Sequence, residues 1–115
     1  MILSGLFGNE SAPKVLLYLE NYSSGYPLGI AQTFKVPVSQ IQRQLERFEL
    51  EGVLSSRLIG KTRVYTWNPR CLYLKDLRSL LKKAIAVLPD HEIEKYFRGK
   101  FEHEYVDIDL PGTTC

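Results

Sequence analysis

The chain has 115 residues, 44% of them hydrophobic and 24% charged, with a formal net charge of +2. That is the size of one domain able to bury its own core, and the composition excludes a disordered chain. No apolar run approaches the roughly 20 residues of a membrane span, and the opening MILSGLFGN lacks the basic start and cleavage pattern of a signal peptide, so a cytoplasmic protein with no membrane partner is expected.

Asn9 or Ser11 can cap a first helix, with Pro13 tolerated in its first turn, where backbone N–H groups have no helical partner. Val15, Leu19 and Tyr22 follow at spacings of four and three, with Leu16 beside them, and give this helix one apolar face. Ser23, Ser24 and Gly25 break the pattern. Pro27 then suits the start of a shorter helix through Leu28, Ile30, Ala31 and Phe34. A tight connection, Lys35-Val36-Pro37, leads into a helix whose Ile41, Leu45 and Phe48 must face the core. Glu51-Gly52 ends it, glycine being the usual residue for the left-handed turn past a helix. Two short helices joined by three or four residues, the second polar on its free face, form the helix-turn-helix pattern.

Beyond Gly52 the period changes. Val53 to Ile59 and Thr62 to Trp67 are rich in β-branched and aromatic residues and flank Gly60-Lys61, the signal of a β-hairpin. A helix-turn-helix followed at once by such a hairpin is a winged helix. The expected fold class is therefore α+β, a winged helix-turn-helix with a three-helix core, a hairpin wing and a long C-terminal helix.

The outward side chains of the second helix of the pair carry the chemistry. Ser39, Gln40, Gln42, Arg43 and Arg47 are the candidates for DNA contact, since Gln and Arg match the donor and acceptor edges of bases in the major groove. Arg43 suits a bidentate contact to guanine, Gln42 or Gln40 one to adenine, and Arg47, a turn further on, a phosphate. Glu46 shares that surface, would be repelled by phosphate, and is expected to point off the groove. On the wing, Arg57, Lys61 and Arg63 are expected to hold phosphate or reach the minor groove. The competing expectation is a solvated helix face and a set of edge-strand charges that deter aggregation. Charge distribution favours DNA: residues 35–70 hold seven bases against three acids, whereas the segments on either side are each net negative by one. Tyr65 and Trp67 are expected to pack at the wing root, having an apolar surface to cover.

Asn68-Pro69 opens a long helix expected over 70–88. Leu74, Leu77, Leu81, Ala84 and Leu88 repeat at steps of three and four, and Tyr73, Leu80 and Val87 widen the apolar face on one flank. Such breadth serves the core on one side and a partner helix on the other. Leu74, Leu77, Leu81, Ala84 and Leu88 are the expected homodimer interface, helped by the first helix and residues 90–98. A dimer would set two recognition helices about 34 Å apart on an inverted repeat. Residues 1–88 are thus expected to form the DNA-binding and dimerising domain, and 89–115 an acidic extension with three bases and seven acids. Within it, Asp90 can cap a short helix with Ile93, Tyr96 and Phe97, ended by Gly99. FEHEYVDIDL is ambiguous between strand and helix, and Pro111 to Cys115 reads as a loose tail.

The run LFGNESAPKVLLYL, then IAQTFKVPVSQIQRQLERFELEGVL, then GKTRVYTWNP resembles winged-helix regulators of the ArsR-like kind. It is most similar to small bacterial and archaeal ones with an LFG start and a hairpin ending in Tyr-x-x-Asn-Pro. The likeness covers about residues 5–88. The family pattern of Ala, three spacers, Gly, then a Val-Ser helix start maps onto Ala31, Lys35, Val36 and Pro37, with Leu45, Gly52 and Tyr65 also in place. The resemblance implies a dimeric transcription regulator of double-stranded DNA, of a kind sometimes found beside or fused to nucleotidyltransferases. Two positions depart from the pattern. Lys35 stands where glycine is usual and must adopt a left-handed conformation or avoid it by another turn. Pro37 replaces the capping Ser; it accepts no side-chain bond but is preset for a first helical position.

Neither a cofactor nor a metal site is expected. The Cys-x-Cys signature of the family's thiolate metal sensors is absent. His91 and His103, among Glu92, Glu94, Glu102 and Glu104, fall at no spacing that forces a site. Cys71 and Cys115 fit neither a disulfide framework nor a zinc knuckle and are expected to be reduced. No glycine-rich phosphate loop, nucleophile elbow or His-Glu metal motif suggests an enzyme. The alternative to a DNA-binding regulator is a protein partner: an interaction module, or an accessory subunit of an enzyme encoded nearby.

Overall fold

The structure is a computed structural model describing residues 1–97, and its elements follow from local chemistry. Asn9 caps the first long helix, its Oδ1 accepting the Ala12 N–H at 2.7 Å. That helix, α2 (Ser11–Tyr22), presents Val15, Leu16, Leu17 and Leu19 to the interior with no exposure and forms the central strut. Before it lies α1 (Ser4–Phe7), a single turn flanked by left-handed Leu3 and Gly8, which sequence periodicity did not reveal. Phe7 of this turn meets Phe48 edge-on, with ring centroids 6.5 Å apart.

After α2, Ser24–Gly25 forms a two-residue strand, β1, where the sequence pattern suggests only a break. It pairs antiparallel with β3 (Thr62–Trp67), Gly25 opposite Tyr65. A Cβ on Gly25 would lie 2.8 Å from the Tyr18 ring, so this close approach requires glycine. Next come α3 (Pro27–Phe34), α4 (Val38–Leu50), the hairpin of β2 (Leu54–Ile59) with β3, then α5 (Leu74–Ala86) and α6 (Asp90–Tyr96). The sheet order is β1-β3-β2. The layers are a helical cluster of α2, α3 and α4 with the sheet along one side and α5 laid across α2.

Burial fixes this arrangement. Ile30, Ala31, Phe34, Ile41, Leu45, Phe48, Leu54, Tyr65 and Trp67 share one core with the apolar face of α2. Tyr18 stacks between Tyr22 and Phe34, and its burial, with the neighbouring Tyr22 and Tyr26 phenols, pushes its phenol up to about 12.

Two expectations about the C-terminal half change. The long helix begins at Leu74, because Asn68 folds the preceding residues into a turn. Its Oδ1 accepts the Arg70 N–H at 3.0 Å, its carbonyl accepts the Cys71 N–H at 3.0 Å, and its Nδ2 donates to the Gly52 carbonyl at 2.9 Å. The packed body also runs past residue 88. Phe97 is buried, Tyr96 and Phe97 pack their rings against Phe34, and Tyr22 Oη donates to the Tyr96 carbonyl at 2.8 Å. Thus α6 lies against the core through the partly buried Ile93 and Tyr96. The strand-or-helix segment FEHEYVDIDL and the tail at Pro111 to Cys115 lie outside the described residues.

Candidate nucleic-acid interface

The turn from α3 to α4 sets the angle of everything that follows. Lys35 takes φ 57° and ψ 49°, the left-handed conformation that glycine adopts at no cost. Its N–H reaches the Gln32 carbonyl at 3.3 Å, and the Val36 N–H reaches the Ala31 carbonyl at 3.1 Å. These are the paired bonds of a Schellman motif, closed here by lysine. Pro37 lies one position earlier than expected: with ψ 138° it is the extended residue before α4, and the helix starts at Val38. A proline there keeps Val36 out of the helical region and gives the turn a fixed exit. Replacing Lys35 with glycine is expected to raise stability by about 0.5 to 1 kcal/mol, relief of the strained φ exceeding the added unfolded-chain entropy. Urea denaturation measures this, and a loss would show that the lysine side chain contributes more than its strain costs.

Ile41, Leu45 and Phe48 hold α4 to the core, as their spacing predicts. The opposite face is open. Ser39, Gln42, Arg43 and Glu46 are exposed at spacings of three, four and seven, so they line one continuous strip. Arg43 makes no hydrogen bond or ion pair with the described residues. Glu46 ends the strip with a negative charge one turn beyond Arg43, which bounds the part able to approach an anion. Gln40 is exposed to one side, where its Oε1 accepts the Ser11 hydroxyl of α2 at 3.4 Å. Arg47 departs most from expectation. It is half-buried, its guanidinium lies 5.0 Å from the Phe48 ring centroid, and its Nε has no hydrogen-bond partner among the described residues. A side chain folded back in this way is a poorer phosphate ligand than its helical position suggests.

The register of the hairpin sorts the wing's cations. Ser56 pairs with Tyr65 and Leu58 with Arg63, so Leu54, Ser56 and Leu58 share a face with Trp67, Tyr65 and Arg63. The Ser56 hydroxyl donates to the Glu49 carboxylate, which identifies this as the face toward α4. Arg63 therefore lies on the α4 side, Arg57 on the far side, and Lys61 at the tip; all three are exposed. Arg63 Nη1 donates to Ser56 Oγ at 3.0 Å. Tyr65 is buried at the root, where burial and then the Glu49 and Glu46 carboxylates push its phenol up while Arg63 partly offsets them. The chain Glu49, Ser56, Arg63 was not apparent from the sequence. Only the parity of the two strands, which sets Ser56 and Arg63 on one face, hinted at it.

The five residues expected to meet a second copy pack to different degrees against the core of their own chain. Leu81, Ala84 and Leu88 are buried in the core of their own chain, and Leu74 and Leu77 are partly buried against it. The other flank of the same stripe is the exposed one: Tyr73, Leu80 and Val87, spaced by seven, with Leu72 fully exposed beside them. The breadth of an apolar stripe does not by itself tell which flank the chain's own core covers.

Among the described residues no three of His, Cys, Asp and Glu gather as metal ligands, and no helix is long and apolar enough to cross a membrane. Cys71 is a partly buried thiol without a disulfide.

A helix-turn-helix packed on α2, with a two-stranded wing closing onto the second helix, is a winged helix, and the chain has this α+β fold. It is similar to the crystal structure of a MarR-family transcriptional regulator from Rhodococcus sp. RHA1. The TM-score is 0.53 and the identity 18%, over 95% of this chain and 79% of that one. No protein-family model matches the chain, and no curated protein matches it.

Proposed function

We propose that the protein is a transcriptional regulator that binds double-stranded DNA in a sequence-specific way, as a homodimer on an inverted-repeat operator in the cytoplasm. The observation that carries this is the exposed strip of Ser39, Gln42 and Arg43, without side-chain partners among the described residues, on a helix whose other face is locked into the core. A helix of this kind fits the major groove, and these side chains suit base edges. The winged-helix fold, shared with a MarR-family regulator, supports the same conclusion. The finer likeness, to ArsR-like regulators, rests on the sequence pattern over about residues 5–88.

On this proposal Arg43 and Gln42 read bases, with Ser39 and Gln40 at the margins. Lys61 and Arg63 hold phosphate or enter the minor groove, Arg57 being turned away and Arg47 contributing less. The dimer forms along Tyr73, Leu80 and Val87, since Leu81, Ala84 and Leu88 are committed to the core. The test is a mobility shift on random-sequence duplex across a salt series. Binding should weaken with salt, and Lys61→Ala should reduce the slope of log affinity against log salt by about one. Absence of salt-dependent binding by the wild-type protein would leave the interaction-module alternative standing, for which the exposed Leu58 and Ile59 of the wing are the supporting observation.

A further inference from the structure

We infer that Glu49 and Ser56 are positioning residues that aim Arg63 at DNA, so that the recognition helix itself sets the direction of the wing's inner cation. This rests on the DNA-binding proposal above. The Ser56 hydroxyl has two roles at once: it donates to a Glu49 carboxylate oxygen and accepts from Arg63 Nη1 at 3.0 Å. No ion pair joins Glu49 directly to Arg63 among the described residues. The hydroxyl thus relays an anchor from α4 without giving the guanidinium a carboxylate to neutralise it. Arginine carries five N–H donors, and one bond to Ser56 leaves the rest for phosphate. Ser56 is partly buried and Arg63 exposed, so the fixed end of the relay is inside and the free end faces solvent.

Geometry on both strands limits the alternatives. Arg63 stands opposite Leu58 on the same face, and Tyr65, its neighbour two residues on, is buried behind it. An arginine on a bare hairpin loses several rotamers when it binds. One already held at its guanidinium loses fewer, and that difference appears as affinity.

The experiment is a double-mutant cycle on a 30-base-pair duplex of random sequence, titrated with NaCl, using wild type, Ser56→Ala, Arg63→Ala and the double variant. Ser56→Ala should weaken binding by about three- to tenfold in the wild-type background and have almost no effect once Arg63 is gone. Equal weakening in both backgrounds would show that Ser56 only stabilises the wing, and would overturn the inference. Glu49 supplies an independent check from another element. Glu49→Ala, which removes the acceptor, should reproduce Ser56→Ala, while Glu49→Gln, which keeps an acceptor and removes a charge, should bind at least as tightly as wild type. The same loss in both Glu49 variants would also overturn it. If wild type itself shows no salt-dependent binding, the DNA-binding proposal fails and this inference falls with it; a wild type that binds with an additive cycle overturns only this inference.

Discussion

Replacing Arg43 by alanine is expected to weaken binding to a selected operator by about 1 to 3 kcal/mol, roughly five- to 150-fold. Binding to random duplex at the same salt should fall by much less. The two are measured by fluorescence anisotropy, after an operator has been enriched from a random library with the wild-type protein. Arg43 is singled out because it stands on the open face of α4 with its side chain free, whereas three arginines near it in the fold are engaged. Arg47 lies over Phe48, Arg63 is held by Ser56, and Arg78 is bonded to Glu20. Arg43 alone of these four has neither a hydrogen bond nor a ring contact with the described residues, and it sits mid-strip between Ser39 and Glu46. A side chain with nothing to break on binding gives its full discrimination to the base it meets. Gln42 beside it offers both a donor and an acceptor and is the second residue to examine. An unchanged ratio of operator to random affinity in Arg43→Ala would remove base reading from this residue, though phosphate binding by the wing could survive.

What the sequence conveyed, and what it withheld, follows from the range of each interaction. Ile41, Leu45 and Phe48 are all buried because a helix face is a property of spacing, which any stretch of chain carries within itself. The hairpin tip at Gly60-Lys61 was legible for the same reason. By contrast β1 exists only because β3 offers an edge to Ser24 and Gly25, and nothing in Ser-Ser-Gly announces that edge. The left-handed Lys35 was legible as a conflict, since the pattern wants glycine there; the conformation won because two backbone bonds and the exit through Pro37 depend on it. The fold of Arg47 onto Phe48 and the relay from Glu49 to Arg63 are set by tertiary neighbours, which helical periodicity does not encode. Which half of the α5 stripe is covered was not legible for a related reason: both halves are apolar, and only the position of α2 decides that Leu81 and Ala84 are the buried ones.

The position of α2 is fixed in part by the ion pair of Glu20 with Arg78, and Arg78→Ala is expected to cost about 3 kcal/mol or more of folding stability. Arg78 Nε lies 2.8 Å from Glu20 Oε1, with the Glu20 side chain only 3% exposed and that of Arg78 18% exposed. Its guanidinium also lies 5.7 Å from the centroid of the Trp67 ring. One side chain of α5 therefore touches α2 and the root of the wing together. Removing it strands a carboxylate in a site that water barely reaches, and the penalty is that of a buried charge deprived of its partner rather than of one lost contact. Against the roughly 5 to 15 kcal/mol by which domains are stable, such a loss is large, and a lower urea midpoint with unchanged slope would report it. The paired change Glu20→Leu with Arg78→Met should return most of the stability, because it removes both charges and keeps the packing volume. A loss below about 1 kcal/mol in Arg78→Ala would mean that Glu20 finds water or another donor, and that α5 is held to the body mainly by its apolar face, Leu74, Leu77, Leu81, Ala84 and Ile85. If the paired variant is stable yet binds DNA less well than wild type, then the joint between α5 and the wing root serves the proposed binding beyond its part in folding.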